Sequence, residues 1–179
     1  MPTEISGSTG VNKIQDNTIV NADINSSAAI AGSKLVMPSG SVLQVVTTGT
    51  FSRTEFTSTG TWTDTNNQLS ITPSSTSSKI LILAHQGCRV DGSGTILRGS
   101  FRLQRGSTVV WNTDNFNELF QVRNAEGEFN QLSNISYLDS PSTTSSVTYK
   151  IQGYLATGTH LRVWESGYGS NMTLMEIAG

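Results

Sequence analysis

Alternation of apolar and polar residues dominates the chain from about residue 41 to its end. In the segment 147–152, VTYKIQ, the side chains of Val147, Tyr149 and Ile151 fall on one face of an extended chain, and polar residues fall on the other. This period of two is typical of half-buried antiparallel strands. It predicts strands at 42–47, 67–72, 78–86, 96–104, 107–111, 131–138, 146–155, 160–165 and 171–177, with weaker ones near 51–57 and 116–122.

Clusters of turn-forming residues separate these segments at intervals of about ten residues. They lie at 73–78, 91–94, 105–107, 139–146, 156–159 and 166–170. The apolar segment 79–84, KILILA, predicts a central strand that is covered on both faces. Only residues 112–122 approach helical spacing, which predicts one short helical turn at most. The predicted fold is all-β, a jelly-roll-like antiparallel sandwich of about eight to ten strands.

A different pattern occupies residues 13–35, where one large aliphatic residue recurs every five or six positions. The positions are Ile14, Ile19, Ile24, Ile30 and Leu35. Five aliphatic side chains on one extended segment bury too little surface to offset the entropy of ordering it. Three copies wound around one axis could bring these side chains together, so we predict an intertwined homotrimeric thread. A flexible linker is the alternative. The predicted domains are a thread at 1–40 and a β-sandwich head at 41–179.

Charge and apolar run lengths restrict the partners. Charged residues make up 13% of the chain and the net charge is -2, which argues against a nucleic-acid surface. The longest apolar run, 80–84, is too short to span a bilayer, so no membrane insertion is expected. The N-terminal MPTEISG lacks the pattern of a secretory signal. Cys88 is the single cysteine, which excludes a disulfide within the chain.

Several longer motifs resemble a known family. The run IVNADINSSAAIAGSKL (19–35) resembles short repeats in fibre proteins of tailed bacteriophages, particularly marine and cyanobacterial phages. A C-terminal β-domain common in those fibres is similar to four further segments of this chain. They are GSVLQVV (40–46), LSITPSSTSSKILIL (69–83), LDSPSTTSSVTYKIQ (138–152) and TLMEIAG (173–179).

This resemblance implies a homotrimeric fibre or appendage of the virion, made in the host cytoplasm. Its N-terminus would attach to other virion proteins, and its head would bind polysaccharide or protein on the host surface. Only about forty residues precede the head, fewer than in long fibres, so attachment to the tail and to the capsid both stay open. A capsid-decorating or head-fibre protein without a receptor role is one alternative, and a free lectin-like module is another.

Two predicted loops carry the residue types that hold sugars, namely aromatic rings beside short polar side chains. One is WNTDNFNE (111–118), and the other is SGYGSN (166–171). The candidate receptor-binding residues are Asn112, Asp114, Asn115, Tyr168 and Asn171. The rings of Trp111 and Phe116 are expected in the core, whereas Trp62 and Trp164 are expected in the core or between subunits.

Signals of catalysis are weak. His85 and Cys88 form one H-x-x-C pair, but no second pair completes a zinc site, and on a strand the two side chains point to opposite faces. Two carboxylate pairs have the residue types of a glycosidase: Asp114 with Glu118, and Glu126 with Glu128 in a polar loop. A solvated loop is the simpler interpretation of the second. The sequence therefore predicts a non-enzymatic protein with no cofactor and no metal site.

Overall fold

The computed structural model describes Ser27 and residues 35–48, 52–93, 96–112, 120–123, 126–163 and 169–179. The chain divides into two compact units, 1–36 and 37–179. In the first, the described residues are Ser27, which lies in a turn, and the exposed Leu35 and Val36. All the strands that the structure describes belong to the second unit. Within the described ranges the regular secondary structure is entirely β-strand.

Eleven strands follow one another in the described residues of the second unit. They are β1 (Val42–Thr47), β2 (Thr54–Phe56), β3 (Trp62–Ile71), β4 (Lys79–Ser93), β5 (Ile96–Arg105), β6 (Thr108–Asn112), β7 (Phe120–Arg123), β8 (Glu126–Asp139), β9 (Val147–Thr157), β10 (His160–Val163) and β11 (Asn171–Ile177). They form two sheets in which every pairing is antiparallel. The prediction of an all-β fold is confirmed, and the two sheets are consistent with a β-sandwich.

The first sheet is built around the long strand β4. Its order is β1-β11-β4-β10-β2, and β8 pairs with the other edge of β4. The β4–β8 pairing runs without interruption from Ile80 opposite Asp139 to Ser93 opposite Glu126. On the opposite edge β4 is shared, because β11 pairs with its first half and β10 with its second half.

The second sheet has the order β3-β9-β5-β6, and β7 pairs with β5 beyond the end of β6. The pairing of β3 with β9 contains an irregularity between Asp64 and Gln68, where Asn66 has a φ of 63°. This bulge turns the polar side chains of Thr65 and Asn67 into the interior, where both are fully buried.

One apolar core lies between the inner faces of the two sheets. Alternate residues of β4, β5, β9 and β11 supply most of it, as the period of two predicts. The largest fully buried side chains are Tyr149, Phe101, Ile80, Ile82, Leu97, Leu103, Ile135, Ile151, Leu155, Leu161, Met172 and Leu174.

A buried carboxylate links the two sheets at one end. Asp139, the last residue of β8, accepts hydrogen bonds at one oxygen from Arg105 Nη1 and from the Tyr149 hydroxyl, each at 2.7 Å. Burial, followed by the hydrogen bond to Asp139, raises the pKa of Tyr149, so the phenol stays protonated as a donor. The segment that resembles a fibre motif, 138–152, contributes both Asp139 and Tyr149.

A second buried carboxylate fixes the loop between β3 and β4. Glu176 accepts hydrogen bonds from the backbone N–H and hydroxyl of Ser74, both 2.7 Å, and from Gln44 Nε2 at 2.6 Å. Burial raises the pKa of Glu176, but the nearby Ser78 hydroxyl and the hydrogen bonds from Ser74 and Gln44 outweigh it and lower the pKa to about 2. The carboxylate is therefore ionised at neutral pH although it is fully buried.

Several local predictions are wrong. Residues 91–93 of a predicted turn and 126–128 of a predicted polar loop pair with each other as the ends of β4 and β8. The strand count exceeds the predicted eight to ten. Residues 120–122 of the predicted helical turn belong to β7, and 113–119 lie outside the described residues. The segment 79–84 is central, but in the single chain only one of its faces is buried.

Candidate functional site

Within the described strands, the outer faces of the two sheets are available for binding, since the inner faces fill the core. On the second sheet one row of polar residues crosses four strands. The register aligns Asp64 of β3 with Gln152 of β9, Gln152 with Arg102 of β5, and Arg102 with Asn112 of β6. We call these four residues the polar row.

Hydrogen bonds hold three members of the polar row in place. Gln152 Nε2 donates to Asp64 Oδ1 at 2.6 Å, and Arg102 Nε donates to Gln152 Oε1 at 2.8 Å. From the next position along β9, Lys150 Nζ reaches Asp64 Oδ2 at 3.0 Å. Each of the two oxygens of Asp64 thus accepts from a different side chain, so its carboxylate has a defined orientation.

An aromatic pair lies beside the polar row. Trp62 is aligned with Tyr154, and their ring centroids are 5.0 Å apart at an interplanar angle of 37°. The guanidinium carbon of Arg102 lies 4.5 Å from the centre of the Trp62 ring, a cation–π contact. Both rings are half-buried on the outer face. Trp62 is therefore not a core residue, and of its two predicted environments only the intersubunit one stays open.

The charges of this surface are coupled. Burial raises the pKa of Asp64, but the hydrogen bonds from Gln152 and Lys150 and the positive charges of Lys150 and Arg102 lower it below its ordinary value. Burial lowers the pKa of the Arg102 guanidinium, and Asp64 partly offsets that effect. Two cations thus lie next to one carboxylate, a local positive excess in a chain whose net charge is -2.

On the first sheet a depression of about 290 Å³ lies over the middle of β4. The register places His85 between Asn134 of β8 and Asn171 of β11. The remaining lining residues are Leu83, Ala84, Ile135, Ser136 and Thr173. The depression is open and contains amide and imidazole groups, so it is a second candidate for binding a small polar ligand.

Buried polar groups fix the position of Asn171 from below. Asn67 Nδ2 donates to the Gln86 side chain at 3.1 Å and to the backbone carbonyl of Asn171 at 3.4 Å. Gln86 in turn donates to the hydroxyl of Ser170. These interior contacts join β3 and β4 to the start of β11, so the depression is built on an ordered segment of backbone.

An apolar row crosses the other end of the same outer face. Leu138 of β8 is aligned with Leu81 of β4, Leu81 with Met175 of β11, and Met175 with Val45 of β1. The relative exposure is 50% for Leu138 and 55% for Val45. We call these four residues the apolar row. Val42, at 51%, and Leu83, at 38%, extend it on either side.

Charged residues occupy the far end of the first sheet. Arg162 forms ion pairs with Asp91 and, at 2.9 Å, with Glu55, and Arg89 joins Asp91 to Glu128 at 2.8 Å on each side. Hydrogen bonds from Arg162 and Arg53 lower the pKa of Glu55. The opposite charges satisfy one another, so this cluster is a solvated network rather than a binding site.

Of the five predicted receptor-binding residues the structure describes two, Asn112 and Asn171, and these two lie on different sheets. Asn112 ends β6 on the second sheet, whereas Asn171 begins β11 on the first. Asp114, Asn115 and Tyr168 lie outside the described residues, and so do four of the five predicted trimer-interface residues, Ile14, Ile19, Ile24 and Ile30. The fifth, Leu35, is 52% exposed.

Among the residues whose side chains the structure describes, the candidate catalytic and metal-binding groups are separated or already paired, whereas Asp114 and Glu118 lie outside the described residues. As predicted, His85 and Cys88 face opposite sides of β4, and burial raises the pKa of the Cys88 thiol. Glu128 is paired with Arg89. Over the part of the chain that the structure describes, no three His, Cys, Asp or Glu side chains converge as a metal site would require. That part also contains no helix long and apolar enough to cross a membrane.

The sequence prediction included Asn112 but missed the other three residues of the polar row and the aromatic pair. Asp64, Arg102 and Gln152 belong to three segments that are far apart in the sequence, and only strand register aligns them. One signal was available: Tyr154 alternates with the apolar residues of β9, which places an aromatic ring on the polar face of that strand. No protein-family model matches the chain, and no curated protein is significantly similar to it.

Proposed function

We propose that this protein is a structural and binding component of a tailed-bacteriophage virion, a homotrimeric fibre or appendage with a host-binding head. Its N-terminal segment would join the three copies and attach to other virion proteins. The role is binding rather than catalysis and requires no cofactor. The observation that carries the proposal is the set of fibre-like motifs at 19–35, 40–46, 69–83, 138–152 and 173–179.

The positions of the motifs in the fold support a structural family. Segment 69–83 contains Ser74, and segment 173–179 contains Glu176, so the hydrogen bonds between them join two of the motifs. Segment 138–152 supplies Asp139 and Tyr149, which join the two sheets. The motifs therefore contain residues whose contacts hold the head together. Of the polar row they contain only Gln152.

The apolar row supports self-association. Solvated monomers seldom expose a continuous apolar strip across several strands, and the row crosses four. The occupant that we propose is a second copy of the same chain, because the thread that the aliphatic period at 14–35 predicts would already bring identical copies together. In a cyclic trimer each copy would present the same row to its neighbour.

The oligomeric state of the full chain tests the proposal. We expect analytical ultracentrifugation at micromolar concentration to give three times the 19.2 kDa mass of one chain. Ile24→Asp should dissociate the trimer, because it places a charge where apolar side chains are predicted to meet. Asn25→Asp is the matched control, as it adds the same charge at a polar neighbour. A monomeric wild-type protein would contradict the trimer.

A further inference from the structure

The aromatic pair and polar row form a surface with the composition of a ligand site. Trp62 and Tyr154 point away from the core, although aromatic rings gain most by burial. Ligand sites typically combine such apolar surface with a few placed polar groups. On this face the polar groups are Asp64, Gln152 and Arg102, next to the rings.

These polar groups are pre-oriented. Gln152 is held from both sides, by Asp64 at 2.6 Å and Arg102 at 2.8 Å, and Arg102 also lies over the Trp62 ring. All three residues belong to strands rather than loops. A ligand would therefore meet side chains whose rotamer freedom is already reduced, which lowers the entropic cost of binding.

The surface offers donors and positive charge. Arg102 uses its Nε for Gln152, and no acceptor among the described residues takes up its two Nη groups. Lys150 has three N–H donors and places one on Asp64, while the exposed Asn112 lies opposite Arg102. The ligand that complements these groups carries a carboxylate for the guanidinium fork, hydroxyls for the amides, and an apolar ring face for Trp62.

We propose that the outer face of the second sheet binds an acidic polysaccharide whose sugar rings carry carboxylates. Trp62 and Tyr154 contact the apolar faces of the sugar rings, and the Nη groups of Arg102 bind the carboxylate. Asn112, Asp64 and Lys150 hydrogen-bond the hydroxyls. The depression at His85 fits less well, because its described lining contains no Trp, Tyr or Phe ring and no Lys or Arg.

Isothermal titration calorimetry of the full-length protein tests this site. The probes are oligomers of galacturonate, alginate and hyaluronan, with fully methyl-esterified oligogalacturonate as the uncharged counterpart of the first. We expect binding to at least one acidic probe, weakening as salt screens the charge. The methyl ester of a bound galacturonate oligomer should bind about tenfold more weakly, as a lost charge-assisted pair predicts.

Variants locate the site. Arg102→Gln should weaken binding of the acidic probe about tenfold and binding of the methyl ester much less, because only the acidic probe loses a charge-assisted pair. Trp62→Ala should weaken both, and Asn112→Ala, at an exposed strand end, gives a second test should Trp62→Ala fail to fold. Lys79→Gln removes an exposed cation from the first sheet and is the matched control. Circular dichroism checks the fold of each variant.

Three outcomes would overturn the inference: no binding to any acidic probe, equal binding of galacturonate and its methyl ester, or binding that Arg102→Gln and Asn112→Ala leave unchanged. The inference relies on the proposed function only for the source of the ligand, the host surface. A monomer that binds acidic probes would therefore overturn the trimer and keep this site. A trimer that binds none of the acidic probes would keep the trimer and overturn this site.

Discussion

The outer faces of the two sheets differ although their inner faces are alike. Both sheets turn alternate apolar residues into the same core. Outward, however, the first sheet presents the apolar row and the second presents the polar row. Covering an outward-facing Leu or Val with another protein surface is favourable, because it removes apolar surface from water. Covering the groups of the polar row would remove their hydrogen bonds to water, which costs free energy.

The two faces also differ in how their exposed apolar atoms are screened. Val45 and Leu138 lie at opposite ends of the apolar row and are each about half exposed. On the second sheet Arg102 covers part of the Trp62 ring, so apolar surface alternates with charge. This difference supports our proposals that a second copy covers the outer face of the first sheet and that the outer face of the second sheet binds a hydrated ligand.

The largest effect is expected from placing a charge on the apolar row. Leu138→Glu would bring a carboxylate into each copy of the proposed interface, and an unpaired buried charge costs several kcal/mol. We expect association to weaken by more than about a hundredfold, measured by analytical ultracentrifugation. Because Leu138 is 50% exposed in one chain, the monomer should fold normally.

Val109→Glu is the matched control for this experiment. Val109 is 40% exposed on β6 of the second sheet, so the substitution adds the same charge to the other face. We expect no change in oligomeric state. If Val109→Glu dissociated the trimer and Leu138→Glu did not, the interface between copies would lie on the second sheet and not on the first.

The next effect separates the two faces of a single strand. Ile82 is fully buried, whereas its neighbour Leu83 is 38% exposed on the outer face. In the monomeric Leu138→Glu background, Ile82→Ala should lower the free energy of unfolding by about 2–4 kcal/mol, and Leu83→Ala by less than about 1 kcal/mol. Urea denaturation measures both. Equal losses would mean that the outer face is covered within one chain.

Strand positions were largely predictable because they depend on local alternation. The sequence gives the bounds of Val42–Thr47 and Asn171–Ile177 as the structure has them. The strands predicted for β4 and β8 were too short, because Asp91, Gly92 and Gly127 are residue types typical of turns. Their mutual pairing extends both strands, so long-range hydrogen bonding outweighs a weak local preference there.

Strand order and register were not predictable from one sequence, and they create the candidate site. The aromatic pair and polar row draw on β3, β5, β6 and β9, which span residues 62–157. The loop residues chosen from composition include Asn112, the end of the polar row, but not its partners. The jelly-roll topology and the trimer stay predictions, since neither follows from pairwise alternation.

Acid should affect an inner carboxylate more than an outer one. The pKa of Glu176 is lowered to about 2, so its ionised form stabilises the fold fully above its unfolded value of 4.5. That contribution, on the order of 3 kcal/mol, should be lost as the pH falls from about 4.5 to about 2. Comparing urea denaturation of wild type and Glu176→Gln across this range measures it.

For Glu176→Gln we expect lower stability at neutral pH, because the amide cannot accept all the hydrogen bonds from Ser74 and Gln44, and a shallower loss in acid. Asp64→Asn is the outer-face comparison. The pKa of Asp64 in the wild type is also lowered, but water screens this exposed carboxylate. The acid profile of Asp64→Asn should therefore stay close to that of the wild type. Identical profiles for wild type and Glu176→Gln would contradict the assignment.

The smallest effect concerns the polar row itself. In a double-mutant cycle of Asp64→Asn and Lys150→Met, we expect a coupling free energy of about 0.2–1 kcal/mol, because the Asp64 side chain is 51% exposed. The coupling should vanish at about 1 M salt. A weak coupling means that these groups are ordered without contributing much stability, as expected of a surface adapted to a ligand. A coupling above about 2 kcal/mol that persists in salt would make the ion pair a stabilising element and weaken the contrast between the two faces.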